Sequence, residues 1–132
     1  MLNRRSFVSA ALALGTGSFA LGFSSAHAVE LAPYDAATVE KLIKSGKPVI
    51  VHVYASWCLQ CHAQASILSS LPADKYKGVS FFRVDYDAQK DIVAALKCPR
   101  STVISFKGGK EITRMSWGTA EKDVVDVLNT VA

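Results

Sequence analysis

Residues 48–61 read PVIVHVYASWCLQC. Pro48 to Ala55 is a nearly continuous β-branched run. Such a run is what a strand buried on both faces looks like, usually a central parallel strand. Trp57 to about Leu71 reads as a helix that ends at Pro72. Cys58 and Cys61 therefore fall where a buried strand gives way to a helix.

The flanking sequence extends the same alternation. Upstream, Asp35 is a candidate N-cap for a helix in which Val39, Leu42 and Ile43 share a face. Gly46 stops that helix and Pro48 bars its continuation. Downstream, Val79 to Asp85 is a second buried strand. Ala88 to Lys97 reads as a helix with Ile92, Ala95 and Leu96 inward, and Thr102 to Phe106 as a third strand. Gly108-Gly109 signals a hairpin turn, with Glu111 to Trp117 as the returning strand. Thr119 is the candidate cap of a last helix whose Val124, Val127, Leu128 and Val131 fall on one face. Val29 to Tyr34 supplies at most a short edge strand. The implied fold class is α/β: a central mixed sheet of four to five strands flanked by helices, with right-handed crossovers.

The cysteine spacing carries the chemistry. A Cys-x-x-Cys that opens a helix after a buried strand reads as redox rather than zinc. A thiolate there faces unpaired backbone N–H groups and the positive end of the helix dipole, which lowers its pKa. The partner three residues on is in reach to close a disulfide. Trp57 shields one side and offers an apolar platform. A zinc site needs two more ligands at matching spacing, and the sequence has one further Cys and three His. Metal binding and an inert structural disulfide remain as the lesser readings. No phosphate loop, serine triad or paired-carboxylate constellation is present in the sequence.

Val49 to Cys61 (VIVHVYASWCLQC) resembles the active-site strand and helix start of thioredoxins. Val79 to Asp87 resembles their next strand, Ser101 to Gly109 (STVISFKGG) the strand and turn after their cis-proline, and Gly118 a glycine near the active site. The resemblance spans about residues 34–131. It implies a thioredoxin fold, with Cys58 as an exposed attacking thiol, Cys61 as a buried resolving thiol and Trp57 as the aromatic flank. It also implies protein thiol or disulfide substrates, an unidentified redox partner, and no cofactor beyond the Cys58–Cys61 disulfide.

Three positions depart from the family pattern. Leu59-Gln60 replaces the Gly-Pro of classical thioredoxins. His52 occupies the place of a buried acid, and three readings are open for it: a base near pH 6.5, a cation that stabilises a thiolate, or a neutral core histidine. Ser101 stands at the cis-proline position, with Pro99 two residues early. A non-proline cis bond costs about 2.5–4 kcal/mol, so the Arg100–Ser101 bond is expected to be trans. Loss of that proline makes two rivals conceivable: a non-catalytic thioredoxin-fold binding module, and a metal or iron–sulfur carrier built from two chains.

Arg100 and Ser101 thus join His52 and Trp57 as candidate supporting residues. Cys98 is the odd cysteine, in a loop expected to face the active site; its readings are a third redox thiol, a dimer link, a regulatory cap, or a reduced cysteine with no role. His62 is expected to point outward from its helix. Arg83 is expected to be a solvated strand-end charge or a partner of Asp85 or Asp87. Met115 and Trp117 read as core or rim.

The N-terminus is a separate segment. Arg4-Arg5-Ser6-Phe7 precedes a mild apolar stretch to Phe23, and Ala26-His27-Ala28 supplies small residues for cleavage. This is the layout of an export signal, residues 1–28, leaving one domain at residues 29–132. The apolar stretch falls short of the roughly 20 residues of a membrane span. The Arg pair resembles a twin-arginine signal, although Asn3 and Ser9 depart from its usual residues; an ordinary Sec signal is the alternative. The expected location is the periplasm or otherwise outside the cytoplasm, without a stable membrane anchor.

Composition agrees with a single packed domain: half the residues are hydrophobic and a fifth charged. The net charge of +4 falls to +2, 13 basic against 11 acidic residues, once Arg4 and Arg5 are removed. That surplus suggests no nucleic-acid partner. A monomer is expected.

Overall fold

The computed structural model describes residues 27–132. The expected export signal, apart from His27 and Ala28, lies outside the described residues. These two run beside residues 71–73: the His27 carbonyl accepts from the Ala73 N–H at 2.9 Å, and Ala28 bridges Pro72.

Ten elements follow in order. They are β1 (Ala32–Pro33), α1 (Ala36–Lys44), β2 (Val49–Tyr54), α2 (Leu59–Ser70), a 3-10 turn (Ala73–Tyr76), β3 (Ser80–Asp85), α3 (Lys90–Leu96), β4 (Thr102–Lys107), β5 (Lys110–Ser116) and α4 (Glu121–Asn129). The five strands form one sheet in the order β1-β3-β2-β4-β5. β1, β3 and β2 are parallel; β4 runs antiparallel to β2 and to β5. This is the mixed sheet expected, with β2 at its centre.

Strand alternation sends β2 side chains to two separate cores. Ile50 packs with Leu68 of α2 and Val124, Val127 and Leu128 of α4. Val49, Val51 and Val53 pack with Val39 of α1, Val84 and Ile104 on the other face. His52 shares the Ile50 face and is fully buried. A β-branched run flanked by two apolar layers is why β2 is continuous and central.

Several boundaries differ from the sequence reading for local reasons. The edge strand shrinks to Ala32–Pro33. The third helix begins at Lys90 because the Asp85 carboxylate accepts from the Asp87 and Ala88 N–H groups, forming a turn first. Ala95 is exposed, and Val93 joins Ile92 and Leu96 against the core instead. The last helix is capped at Ala120 rather than Thr119: Asp123 reaches back to the Ala120 N–H at 3.1 Å. Asp35 caps α1 as expected, accepting from Thr38 N–H at 3.0 Å. Among the described residues no helix is long and apolar enough to cross a membrane.

Candidate active site

The carboxyl end of β2 delivers residues 55–58 to the start of α2, and Cys58 is the N-cap of that helix. Its sulfur accepts the Cys61 N–H at 3.3 Å. The sulfur therefore occupies the position where a helix N-terminus stabilises negative charge. Cys61 lies one turn in, fully buried, on the α2 face that also carries Gln64 and Leu68.

The two thiols are pushed apart. Burial alone pushes Cys58 up, but hydrogen bonds from the Cys61 side chain and N–H, together with the adjacent Arg100 guanidinium, outweigh it and hold its pKa below the usual thiol value. Cys61 moves the other way, raised by burial and by its hydrogen bond to Cys58. One correction is needed: Cys58 is not exposed. Only 2% of its surface is accessible, because Ala55, Cys61, Tyr54 and Tyr86 pack around it.

Trp57 is 57% exposed and oriented by its indole N–H, which donates to Asp87 at 2.8 Å, and by edge contact with Tyr86. Tyr54 and His62 brace the turn between β2 and α2. The His62 Nε2–H donates to the Ser56 carbonyl at 2.6 Å, and its Nδ1 lies 3.1 Å from the Tyr54 hydroxyl. His62 is thus exposed, as expected, yet its ring turns back onto the loop. Arg83 pairs with neither Asp85 nor Asp87 and is no solvated charge: its guanidinium lies over the Tyr54 ring at 4.3 Å and its Nε is buried.

Beneath the cysteines lies a polar network that the sequence reading missed. The Gln64 amide nitrogen donates to the Ser101 carbonyl at 3.0 Å and the Gly118 carbonyl at 2.8 Å. Both partners are acceptors, so the amide orientation is settled and Oε1 must face His52 Nε2, 3.0 Å away. His52 Nε2 therefore carries the proton. Its Nδ1 is buried with no hydrogen-bond partner. The available signal was Gln64 itself, a polar residue at the inward 61/64/68 spacing of α2.

Burial pushes His52 down to about 4, against a smaller upward pull from Gln64, while the Arg83 charge adds to the depression. His52 is accordingly neutral near pH 7. The unfolded chain takes up this proton near pH 6.5 and the folded chain only near 4. Between those values the unfolded state binds more protons, so stability is fully present above pH 6.5 and declines as pH falls, by about 3 kcal/mol in total. Melts of the wild type and His52→Val from pH 7 to 4 check this. The variant should be less stable but much flatter across the window; parallel declines would remove His52 as the cause.

The Arg100–Ser101 peptide is trans. Ser101 adopts φ +61°, donates its N–H to the Val53 carbonyl at 2.9 Å, and accepts the Trp117 N–H at 2.8 Å. Its hydroxyl is buried without a partner. Gly118 admits no side chain: a Cβ would lie 2.7 Å from both Met115 Sδ and Asp123 Cβ. Met115 instead accepts the Gly118 N–H through its sulfur at 3.2 Å. Cys98 belongs to the core cluster of Val39 and Val84, beside Arg114 and Glu111, and not to the cluster of Cys58 and Cys61; burial pushes its thiol up.

A strand-to-helix cysteine pair with split acidities on this sheet defines a thiol–disulfide oxidoreductase. The family model named Thioredoxin matches residues 30–130, and the chain belongs to the thioredoxin family. Thioredoxin-2 of Saccharomyces cerevisiae is 32% identical over 83 residues, 62% of this chain and 75% of that protein. The crystal structure of Trxlp from Edwardsiella tarda matches with a TM-score of 0.67 at 31% identity, covering 75% of this chain and 98% of that one. Fasciola hepatica thioredoxin matches with a TM-score of 0.63 at 30% identity, covering 74% and 94%.

Proposed function

We propose that this thioredoxin-type oxidoreductase acts outside the cytoplasm on protein disulfides, with Cys58 attacking and Cys61 resolving. The observation that carries the assignment of roles is geometric: Cys58 caps the N-terminus of α2 with its sulfur accepting the Cys61 N–H at 3.3 Å, and Cys61 lies fully buried one turn in. In the reducing direction, the Cys58 thiolate attacks one substrate sulfur and the other leaves as a thiolate. Cys61 then loses its proton and attacks Cys58 Sγ. The second substrate sulfur departs, and the Cys58–Cys61 disulfide forms. Two electrons pass to the substrate, and two protons bring its sulfurs to thiols. Neutral His52, with its free Nδ1, belongs to the layer beneath this pair as a positioning residue. The twin-arginine-like leader supports export; fractionation of cells making the full chain tests it, and retention of the protein in the cytoplasm would sink that part.

Insulin reduction with dithiothreitol as electron donor tests the chemistry. Wild type should accelerate precipitation of the B chain, and Cys58→Ala should fall to the uncatalysed rate. Cys61→Ala, reduced beforehand, freed of dithiothreitol and mixed with insulin, should accumulate a mixed disulfide. Equal activity of wild type and Cys58→Ala would leave the protein a binding module of thioredoxin fold.

A further inference from the structure

Arg100 sits against the aromatic rim of the cysteine pair. Its guanidinium carbon lies 4.5 Å from the Trp57 ring centroid and 4.9 Å from that of Trp117. Cation–π contact with two indoles holds the group in place without engaging its N–H donors, one of which serves the Cys58 sulfur. Nε is buried and has no hydrogen-bond partner. Among the described residues the ion pairs are Lys77–Asp74, Arg114–Glu111 and Lys122–Asp126, so no carboxylate pairs with Arg100. The nearby acid, Asp87, is engaged by the Trp57 indole N–H.

A guanidinium held against two indoles, with its Nε buried, keeps the edge formed by its terminal Nη groups for a partner. That edge is a planar fork of N–H donors, and its matching partner is a carboxylate bound through two oxygens. The same guanidinium stands beside the Cys58 sulfur. A carboxylate drawn to it must therefore belong to the molecule whose disulfide Cys58 meets, within a residue or two of the target cysteine. Beside the fork, Trp57 and Trp117 are 57% and 42% exposed, and Leu59, next to Cys58 in the chain, is 82% exposed; they offer apolar contact to the rest of a peptide.

The geometry points to a carboxylate-reading site at Arg100: preferred substrates are protein disulfides with Asp or Glu next to the cysteine that Cys58 attacks. This rests on Cys58 being the attacking thiol. It assigns Arg100 a role in specificity, where the positioning of His52 and Gln64 concerns the scaffold below.

The test uses the full chain, reduced beforehand and freed of reductant. It is mixed with either of two synthetic peptides, each bridged by one disulfide. They differ only in carrying Glu or Gln on both sides of the target cysteine. Acid quench and mass spectrometry read the rate at which the protein dithiol becomes a disulfide and the peptide disulfide becomes two thiols. The Glu peptide has a poorer leaving group, and loss of Arg100 alters Cys58 reactivity, so the informative quantity is the Glu-to-Gln rate ratio. That ratio should fall about tenfold from wild type to Arg100→Gln. Arg100→Lys, which keeps the charge but not the fork, should lie between them. Equal ratios in wild type and Arg100→Gln would overturn the site, and insulin reduction by the same wild-type preparation would then leave the oxidoreductase reading standing. Failure on insulin and on both peptides would remove that reading as well.

Discussion

Replacing Gln64 with leucine is expected to destabilise the protein by about 3 kcal/mol, although leucine is the residue an inward helical position usually carries. The side chain is fully buried and makes polar contacts to His52, to the carbonyls of Ser101 and Gly118, and more weakly to the Met115 sulfur. Ser101 O keeps the Trp117 N–H, but Gly118 O and the His52 Nε2–H lose their partner. Stranding a buried donor and a buried acceptor costs about 1–3 kcal/mol each, more than the added apolar burial returns. Removing His52 as well takes away one of the stranded groups. The double variant Gln64→Leu with His52→Val should thus be less destabilised than the sum of the singles, by at least about 1 kcal/mol. Denaturant titration of the four proteins measures this. Additive losses would mean that the His52–Gln64 contact contributes nothing.

Restoring proline at position 101 should damage this protein, by about 3 kcal/mol or more. Ser101 has φ +61°, whereas the proline ring requires about −65°. Its N–H, which proline lacks, donates to Val53 O in the central strand. Its carbonyl receives both Gln64 and Trp117, so a shifted loop disturbs the network beneath the cysteines. Ser101→Gly is the matched control. Glycine accepts the positive φ and removes a buried, unpartnered hydroxyl, so that variant should match or exceed the wild type, by up to about 1 kcal/mol. A Ser101→Pro protein as stable as the wild type would show that the loop can be rebuilt around the ring at little cost.

These two residues mark where the sequence stopped being legible. The strand run 49–54 and the cysteine spacing identified the central strand, the redox pair and the α/β class, because both signals are local and periodic. The His52 position was legible too, but its state was not. That state depends on an amide twelve residues away, whose own orientation is set by carbonyls 37 and 54 residues further along. Backbone acceptors leave no mark in the side-chain pattern, so Gln64 passed as an ordinary helical residue. Arg100 was legible only as the neighbour of a missing proline. Its stacking requires Trp57 from one loop and Trp117 from another. The burial of Cys58 likewise comes from tyrosines on β2 and after β3, brought together only by the folded sheet.

The rim around Arg100 also determines how the protein can be watched. The chain contains two tryptophans, Trp57 and Trp117, and both lie against that one guanidinium at the mouth of the cysteine pair. No distant indole dilutes the signal. Intrinsic fluorescence is therefore a label-free report on this corner of the molecule, sensitive to the opening and closing of the neighbouring disulfide and to anything that displaces the cation from the rings.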